Sequence, residues 1–261
     1  MSAMVKAERI ALPGGLRALA VTLNNPARCN ALTEPFLAEL EAALAEDADA
    51  PFVLIAAEGR HFSTGGDIAA FDRAAREGRA AAHAAALVGA LQRIVLALKA
   101  RDAIVVTAAQ GAITGGAAGL VLAADLAALS EDAFLQPWYR EVGFAPDGGW
   151  AALLPETVGA RRALAWQLRN ARIDAREALR LGIADLVTER DGLAGAAAGM
   201  LADLAEAADP QALVAAKRLV WDEARLAALE RRLAAERDAF AARIDLGSTR
   251  AGMERFLSRN S

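Results

Sequence analysis

Asp147 is the first residue whose surroundings suggest chemistry. It lies in the segment GFAPDGGW (143–150), between a proline and two glycines and close to Phe144 and Trp150. Pro-Asp-Gly is a common turn sequence in which the carboxylate accepts hydrogen bonds from nearby amides. An apolar environment would instead raise the pKa of the Asp147 carboxyl and suit it to acid–base catalysis. The segment alone favours the turn, and the rest of the chain must decide between the two interpretations.

Two segments with paired glycines, STGGD (63–67) and ITGGAAG (113–119), each follow a predicted strand and run towards a helix. Amides at a helix N-terminus lack intrahelical partners, and glycine lets the backbone approach a ligand closely. Two such loops side by side could direct two amides at one developing oxyanion. A tight strand-to-helix turn is the simpler interpretation of either loop alone. Neither loop carries a nucleotide-binding pattern.

The residues that several other kinds of site require are missing from the sequence. The chain has two histidines, His61 and His83, and one cysteine, Cys29. No metal-ligand spacing exists among them, and no intrachain disulfide can form. No nucleophile-elbow motif is present. With a net charge of −4 and no basic stripe, nucleic acid is not an expected partner.

Alternating strands and helices must position these residues. The predicted strands are RIALPGGLRALAVTL (9–23, two strands and a turn), FVLIAA (52–57), IVVTAA (104–109), LAALS (126–130) and FLQP (134–137). Helices are predicted from Thr33, over about residues 80–99, after the second glycine loop as far as Ala124, and throughout the chain from Val158 onward. Such alternation predicts mostly parallel, buried strands with the site at their carboxyl ends, where both glycine loops lie.

The longest uncharged run, Ala103–Ala124, is long enough to cross a bilayer. Gln110-Gly111 and Gly115-Gly116 interrupt it, so we expect a buried strand, a tight loop and a buried helix. The N-terminal sequence lacks the apolar core of a signal peptide. The chain has 261 residues, of which 55% are hydrophobic, and can bury a large core. We therefore expect a soluble, cytoplasmic protein with no membrane partner.

Five segments together carry a family resemblance: NNPARCNAL (24–32), HFSTGGDI (61–68), AAQGAITGGAAGLVLAADL (108–126), FAPDGG (144–149) and LRNARIDAREALRLGIADLV (168–187). In this order they resemble the crotonase, or enoyl-CoA hydratase/isomerase, superfamily over roughly residues 5–190. The resemblance implies an α/β fold with a ββα spiral core and a helical C-terminal region. It also implies acyl-CoA thioester substrates, an enolate stabilised by two backbone amides, and a homotrimer or dimer of trimers.

Carried over by position, the resemblance assigns the two oxyanion amides to Gly66 and Gly116. It places Arg28, Cys29 and Ala31 along the path of coenzyme A and Thr64 beside the thioester arm. The substrate-binding residues expected around these positions are Arg28, Cys29, Ala31, Thr64, Ile68, Gly119 and Trp138. Arg28 could also contact a phosphate, and a solvated loop arginine is an equal alternative. Asp67 is better explained as a helix cap.

The sequence departs from the hydratases of this family, which use two glutamates. Their first glutamate falls at Gly119, and their second falls near Trp138 or Tyr139. None of these residues is a carboxylate. Glu141 is close in sequence, but it adjoins Arg140 and is expected at the surface. Simple hydration is therefore disfavoured.

Some isomerases of the family carry a single acid in the corresponding Pro-acid-x-Gly segment, which here holds Asp147. One base can remove a proton at C2 of a 3-enoyl thioester and return it at C4. Apolar Phe144, Trp138 and Trp150 would raise the pKa of Asp147 by desolvation. The prediction is a Δ3,Δ2-enoyl-CoA isomerase with Asp147 as the base. It requires no metal and no cofactor beyond the coenzyme A of its substrate.

Alternatives remain within and outside catalysis. The chain could be an enoyl-CoA hydratase, an acyl-CoA hydrolase, a dehalogenase or a non-catalytic acyl-CoA-binding relative. A dehalogenase-like member of the family uses an Asp nucleophile with a Trp nearby, as Asp147 and Trp138 would provide, but its activating histidine falls near Leu91 or Gln92. Residues 1–195 are expected to form the core with the acyl-CoA site, and residues 196–261 a helical region for trimerisation or a lid.

Overall fold

The computed structural model describes residues 3–207 and 209–259. Its strands are β1 (Val5–Ala11), β2 (Arg17–Leu23), β3 (Phe52–Ala57), β4 (Ile104–Ala109), β5 (Ala112–Thr114), β6 (Leu126–Ser130), β7 (Phe134–Gln136), β8 (Ile173–Asp174) and β9 (Leu186–Thr188). Its helices are α1 (Glu34–Ala45), α2 (Ile68–Arg76), α3 (Ala80–Ala100), α4 (Ala118–Leu122), α5 (Tyr139–Val142), α6 (Leu154–Val158), α7 (Ala160–Arg169), α8 (Ala175–Arg180), α9 (Leu193–Ala207), α10 (Pro210–Val220), α11 (Glu223–Ile244) and α12 (Gly247–Arg259).

The strands form two sheets. The larger has the order β1-β2-β3-β4-β6-β9, and the smaller has the order β5-β7-β8. In the larger sheet the β1–β2 hairpin is antiparallel and every other pair is parallel. The chain thus has the predicted α/β fold, with the hairpin, the buried strands and the helix from Thr33 as expected. Thr33 caps α1 by accepting a hydrogen bond from the amide of Phe36 at 3.4 Å.

Helices cover both faces of the larger sheet, which explains the continuous apolar runs of its strands. Val53 and Val105 belong to the hydrophobic cluster that includes α1 and α3. Phe52 and Val106 point the other way and pack with Leu201 of α9. Successive residues of a strand face opposite sides, so the central strands need no polar face.

The uncharged run 103–124 folds into β4, β5, a 3₁₀ turn over Gly115–Ala117 and α4. The predicted strand and helix are confirmed, although α4 ends at Leu122. The segment predicted as a loop contains the short strand β5, which was not expected. Within the described part of the chain, helix α3 is the one that is long and apolar enough to cross a bilayer by length and composition. In the structure its apolar side joins the main core.

Two expectations were wrong in detail. Helix α2 begins directly after the first glycine loop, where Asp67 was expected to act as a cap, but helical sequence was predicted only from about residue 80. The region from Val158 onward was predicted to be all helical, but it contains β8 and β9, the latter paired with β6. Strands of two or three residues carry almost no periodicity of their own, because the neighbouring strand supplies their hydrogen bonds.

The C-terminal helices belong to the same core as the sheet. The predicted division between residues 195 and 196 falls inside α9, which covers β4 and β6. Further on, Leu229, Leu233 and Phe240 of α11 and Met253 of α12 join the cluster that holds β3 and β4. The helical region therefore completes the core and does not form a separate layer.

Candidate active site

The two glycine loops run side by side in parallel. The amide of Ser63 donates to the carbonyl of Ala112, and the amide of Thr114 donates to the carbonyl of Ser63, both at 3.1 Å. This register, Ser63 opposite Ile113, brings Gly66 and Gly116 to equivalent places three residues further on. The two glycines assigned to one oxyanion therefore come from adjacent loops.

The close approach of the loops requires glycine at position 65. Gly65 has a φ of 77°, and a methyl group there would lie 2.6 Å from the carbonyl oxygen of Thr114. A side chain would therefore separate the loops as well as strain the backbone.

Both loops end at the start of a helical segment. Gly66 precedes Asp67, whose carboxylate caps α2 by accepting a hydrogen bond from the amide of Ala70 at 3.2 Å. Gly116 lies in the 3₁₀ turn that leads into α4. Amides at such positions point along the helix axis towards the preceding loop. The arrangement suits an oxyanion hole, which stays a prediction.

A cavity of about 530 Å³ lies against these loops. Its wall is largely apolar, with Leu87 and Leu91 from α3 and aromatic rings from several elements: Phe71, Phe134, Trp138, Tyr139, Phe144, Phe240 and Phe256. A concave, mostly apolar wall with a few polar groups is typical of small-molecule sites. Its acidic residues, among those the structure describes, are Asp67 and Asp147.

Most of the residues singled out in the sequence meet at this cavity. Those on its wall are Arg28, Ala31, Thr64, Gly66, Ile68, Gly116, Trp138 and Asp147. They come from five separate segments of the chain, so the fold brings together what the sequence spread over 120 positions. Their roles towards a substrate stay predictions.

Cys29 and Gly119 do not line this cavity, and their expected role in substrate binding stays a prediction. The carbonyl of Cys29 accepts a hydrogen bond from the amide of Thr64, so Cys29 supports the first loop through its backbone. A methyl group at Gly119 would lie 2.9 Å from Val95 Cγ2 and would also overlap the carbonyl of Gly148. Gly119 therefore serves close packing of α4 against the segment after Asp147.

Asp67 has partners of its own. Besides capping α2, its carboxylate pairs with the Arg28 guanidinium at 2.8 Å. The prediction of a helix cap is confirmed. Arg28 is mostly exposed and also lines the cavity.

Asp147 is buried, with 7% of its surface exposed. Its Oδ1 accepts a hydrogen bond from the Tyr139 hydroxyl at 2.6 Å. A methyl group at Gly116 would lie 3.0 Å from the same Oδ1, so the carboxylate rests directly on the second glycine loop. Burial raises the pKa of Asp147 to about 6, and the hydrogen bond from Tyr139 partly opposes that rise.

The turn interpretation of Asp147 is right for its backbone. Gly148 and Gly149 both have positive φ values, and the carbonyl of Asp147 accepts a hydrogen bond from the amide of Trp150 at 3.4 Å. The amides of Gly149, Ala151 and Ala152 donate to another carboxylate, that of Glu236 on α11. The Asp147 side chain does not bind these amides and lines the cavity instead.

The aromatic residues around Asp147 divide into two groups. Phe144 stacks with Phe71 and Phe240 at ring distances of 4.7–5.3 Å on the cavity wall. Trp150, which was expected beside Asp147 as a desolvating neighbour, is fully buried outside the wall, and its Nε1 donates to the carbonyl of Gly115 at 2.8 Å. Trp150 therefore ties the Asp147 segment to the glycine loop.

Trp138 is held in a backbone conformation unusual for its residue type. Its φ is 63°, and its amide donates to the Asn170 side chain at 2.8 Å. The Trp138 ring packs edge to face with Phe256 of α12, at 5.8 Å between ring centres. A non-glycine residue in this region is over-determined by its surroundings and is common at functional sites.

Two other titratable residues, Glu141 and His61, have mainly structural contacts. Glu141 pairs with Arg140 at 3.0 Å and does not line the cavity, in agreement with the expected surface position. Nδ1 of His61 accepts a hydrogen bond from the amide of Ala112 at 3.0 Å. No cluster of His, Cys, Asp or Glu that could hold a metal ion occurs in residues 3–207 and 209–259.

Three residues around the site were not predicted from the sequence. Tyr139 was considered as a possible match to the second hydratase glutamate, although its hydroxyl donates to Asp147 eight positions later. Arg172 lines the cavity, with its guanidinium 3.6 Å from the centre of the Phe134 ring. Glu236 lies almost ninety residues from the segment that it binds. Spacing rules in the sequence do not connect such distant positions. Around Asp147, only the Pro-acid-x-Gly segment itself was recognisable from the sequence.

Comparison with known proteins agrees with this architecture. A trans-2-decenoyl-[acyl-carrier-protein] isomerase from Streptococcus mutans is 33% identical over 178 residues, which cover 66% of this chain and 66% of that protein. An enoyl-CoA hydratase structure from Bacillus halodurans superposes with a TM-score of 0.86 at 19% identity, over 95% of this chain and 99% of that one. Another, from Mycobacterium avium subsp. paratuberculosis, gives 0.81 at 27% identity, over 97% and 96%.

The first of these structures is too distant in sequence to show more than a shared fold, and the isomerase match spans about two thirds of that protein. The family model for enoyl-CoA hydratase/isomerase covers far more of the chain, from residue 17 to residue 261. With the two glycine loops, the Asp147 segment and the α/β core in place, the chain belongs to the enoyl-CoA hydratase/isomerase family, within the crotonase superfamily that its motifs predicted.

Proposed function

We propose that this protein is an acyl-CoA enzyme that stabilises a thioester enolate, and that its reaction is Δ3,Δ2-enoyl-CoA isomerisation with Asp147 as the single base. The observation that carries the proposal is the isolation of Asp147. It is the buried carboxylate on the cavity wall and rests on Gly116. The other acidic residue there, Asp67, is paired with Arg28.

The reaction needs one group that takes and returns a proton. The Asp147 carboxylate removes a proton from C2 of a 3-enoyl thioester, and the electron pair delocalises into a dienolate. The negative charge on the thioester oxygen is received by the amides of Gly66 and Gly116. The Asp147 carboxyl then protonates C4, which leaves the double bond between C2 and C3. A base with a pKa near 6 is mostly ionised at neutral pH and still returns its proton readily.

The positions that carry glutamates in the family's hydratases support isomerisation over hydration. Gly119 is packed against Gly148, and Trp138 and Tyr139 carry no carboxyl group. Activating a water and protonating the product would require a second acid–base group. The isomerase from Streptococcus mutans among the relatives agrees in reaction type.

A dehalogenase reaction has less support. The histidine that would activate water in that reaction falls near Leu91 or Gln92, and Leu91 forms part of the apolar cavity wall. Hydrolysis, dehalogenation and simple binding of acyl-CoA are the alternatives that an activity assay distinguishes from isomerisation.

We propose the following for its cofactor, location and assembly. Coenzyme A enters with the substrate and no other cofactor or metal takes part. The protein acts in the cytoplasm as a homotrimer or dimer of trimers. Arg28 and Arg172 on the cavity wall offer guanidinium groups that suit the phosphates of the coenzyme.

Formation of the conjugated thioester tests the proposal. The purified protein is mixed with 3-hexenoyl-CoA and 3-decenoyl-CoA, and the ultraviolet absorbance of the 2-enoyl thioester is followed, with crotonyl-CoA hydration as the comparison. We expect conjugation without hydration. Asp147→Asn should lower kcat by about a thousandfold or more, because the general base is lost, while thioester binding persists.

Glu141→Gln is the matched control, since it removes a nearby carboxylate that does not line the cavity. It should retain wild-type kcat. Rapid hydration of crotonyl-CoA, or full isomerase activity in Asp147→Asn, would show that the base is misassigned. Thioester binding without conjugation would leave hydrolysis, dehalogenation or a binding protein.

A further inference from the structure

Glu236 is a buried carboxylate that the proposed reaction does not use. It lies on α11, has 5% of its surface exposed and is not on the cavity wall. Its Oε2 accepts a hydrogen bond from the amide of Gly149 at 2.9 Å, and its Oε1 accepts from the amides of Ala151 and Ala152 at 2.6 and 2.8 Å. A buried carboxylate is costly unless such donors satisfy it. One side chain thus fixes the segment 149–152, directly after Asp147.

This segment touches the groups assigned to the reaction. A methyl group at Gly148 would lie 2.6 Å from the Cα of Gly116, so the two backbones are in contact. Trp150 Nε1 donates to the carbonyl of Gly115. The placement of the segment therefore sets how the Asp147 carboxylate lies against the Gly116 amide.

Helix α11 is packed firmly in the core and therefore fixes the position of Glu236. Leu233 and Phe240, which flank Glu236 on the helix, are buried in the main core. Arg232, one turn before Glu236, donates to the carbonyl of Ala152 at 3.4 Å. Two side chains of α11 thus hold the same segment.

The ionised form of Glu236 is costly in this buried position. Burial raises the pKa of Glu236 to about 7, the three amide hydrogen bonds oppose that rise, and the nearby Asp147 carboxylate adds to it. The Glu236 charge also raises the pKa of the Tyr139 hydroxyl, after the larger effects of burial and of Asp147. A side chain this costly to ionise would be a poor choice for packing alone.

We propose that Glu236 is a positioning residue, which holds residues 149–152 so that the Asp147 carboxylate stays against the Gly116 loop. The kinetic consequence rests on the proposed function of Asp147. The placement itself can be measured without it.

Glu236→Gln tests the proposal with little change of shape. If the amide oxygen keeps Ala151 and Ala152, the new NH₂ group faces the amide of Gly149 and cannot accept its hydrogen bond. We expect kcat for 3-enoyl-CoA isomerisation to fall by about 10- to 100-fold, because small displacements of a catalytic group are costly. KM should change less than about threefold, since the cavity wall is intact. A folded variant with kcat within twofold of wild type would overturn the proposal.

Two further variants make the result specific. Glu230→Gln removes an exposed carboxylate of the same helix and should keep wild-type kcat. Glu236→Asp keeps the charge but withdraws it by one methylene. It replaces Glu236→Gln if that variant does not fold, with a lowered kcat expected and an unchanged kcat again overturning the proposal. Circular dichroism confirms folding of each variant at the assay temperature.

A nuclear magnetic resonance measurement separates this proposal from the proposed function. With ¹⁵N-glycine and ¹³C-aspartate labels, Glu236→Gln should move the amide signals of Gly149 and Gly116 and the carboxyl signal of Asp147. Movement of Gly149 alone would mean that Glu236 only stabilises a turn, and the proposal fails. If the wild-type protein shows no isomerase activity, the proposed function fails and these signals alone decide the role of Glu236.

Discussion

At the scale of single residues, the site depends on one carboxylate whose environment changes its acidity. Asp147 is deprived of water by the cavity wall, and the Tyr139 hydroxyl stabilises its ionised form. The pKa of Tyr139 is raised well above its usual value by burial and by the Asp147 charge, so Tyr139 remains a hydrogen-bond donor at working pH. The pair therefore balances desolvation against one short hydrogen bond.

Tyr139→Phe tests that balance. Loss of the hydrogen bond removes stabilisation from the ionised carboxylate alone, so the pKa of Asp147 rises above 6. Because the base must be ionised, the rise of kcat/KM with pH should move to higher pH by about one to two units. The pH profile of kcat/KM measures this, and an unchanged midpoint would show that Tyr139 does not stabilise the ionised Asp147 carboxylate.

The raised pKa also has a cost in stability. The folded state holds the Asp147 proton up to about pH 6, whereas the unfolded chain releases it near 3.8. The folded state therefore binds more protons in this window, and stability falls as pH rises through it. Asp147→Asn removes this loss. Relative to wild type, it should gain on the order of 3 kcal/mol on moving from pH 4 to pH 7.5. Urea unfolding at both pH values measures the difference, and an equal effect at both would contradict the raised pKa.

At the scale of elements, the loops of the site contact one another through their backbones, with no side chains between them. The first glycine loop contacts the second at Gly65, and the second contacts the Asp147 segment at Gly148. The first contact joins two strand-to-helix connections, and the second joins one of them to the segment between α5 and α6. The distances between the proposed base and the two proposed oxyanion amides are therefore set by backbone contacts, which tolerate little change.

Gly148→Ala should disturb the backbone contact between the Asp147 segment and the second glycine loop. The position has a φ of 62°, and the new methyl group would overlap the backbone of Gly116. Gly78→Ala is the matched control, because Gly78 has a similar φ of 69° but open space around it. The control should lose about 1–2 kcal/mol from backbone strain alone. Gly148→Ala should lose more and also lower kcat, and equal losses in thermal unfolding would argue against the contact.

At the scale of the whole molecule, the C-terminal helices close the cavity that the core begins. Phe240 of α11 and Phe256 of α12 line it, more than ninety residues from Asp147 in sequence. Phe240 stacks with Phe71 and Phe144 and is 3% exposed. Stability and acyl-chain selection should therefore depend on the same ring.

Phe240→Ala separates these effects from catalysis. Truncation of a buried ring should cost about 3–5 kcal/mol of unfolding free energy. It should also shift kcat/KM towards bulkier acyl groups, since the cavity enlarges. Leu219→Ala on α10 removes a side chain that is 83% exposed and should change neither property. An unchanged acyl preference in a folded Phe240→Ala would place the acyl chain elsewhere.

Much of the fold follows from local pattern. The apolar runs at 52–57 and 104–109, the hairpin over 9–23 and the helix capped by Thr33 all lie where the sequence predicted them. Periodicity and capping are properties of neighbouring residues, so one chain is enough to read them. The strands β8 and β9 escaped prediction because their pairing partners, not their own residues, define them.

The sequence by itself determined the family, the two glycine loops and Asp147 as the candidate base, since these depend on residue types at fixed short spacings. Only the tertiary structure decided that Gly119 and Cys29 lie off the cavity wall, that Tyr139 bonds to Asp147 and that Glu236 holds the turn after it. The physical reason is the distance along the sequence over which each effect acts. Spacing rules act over a few residues, whereas burial and the pKa of a buried acid depend on groups that the fold brings from far along the chain.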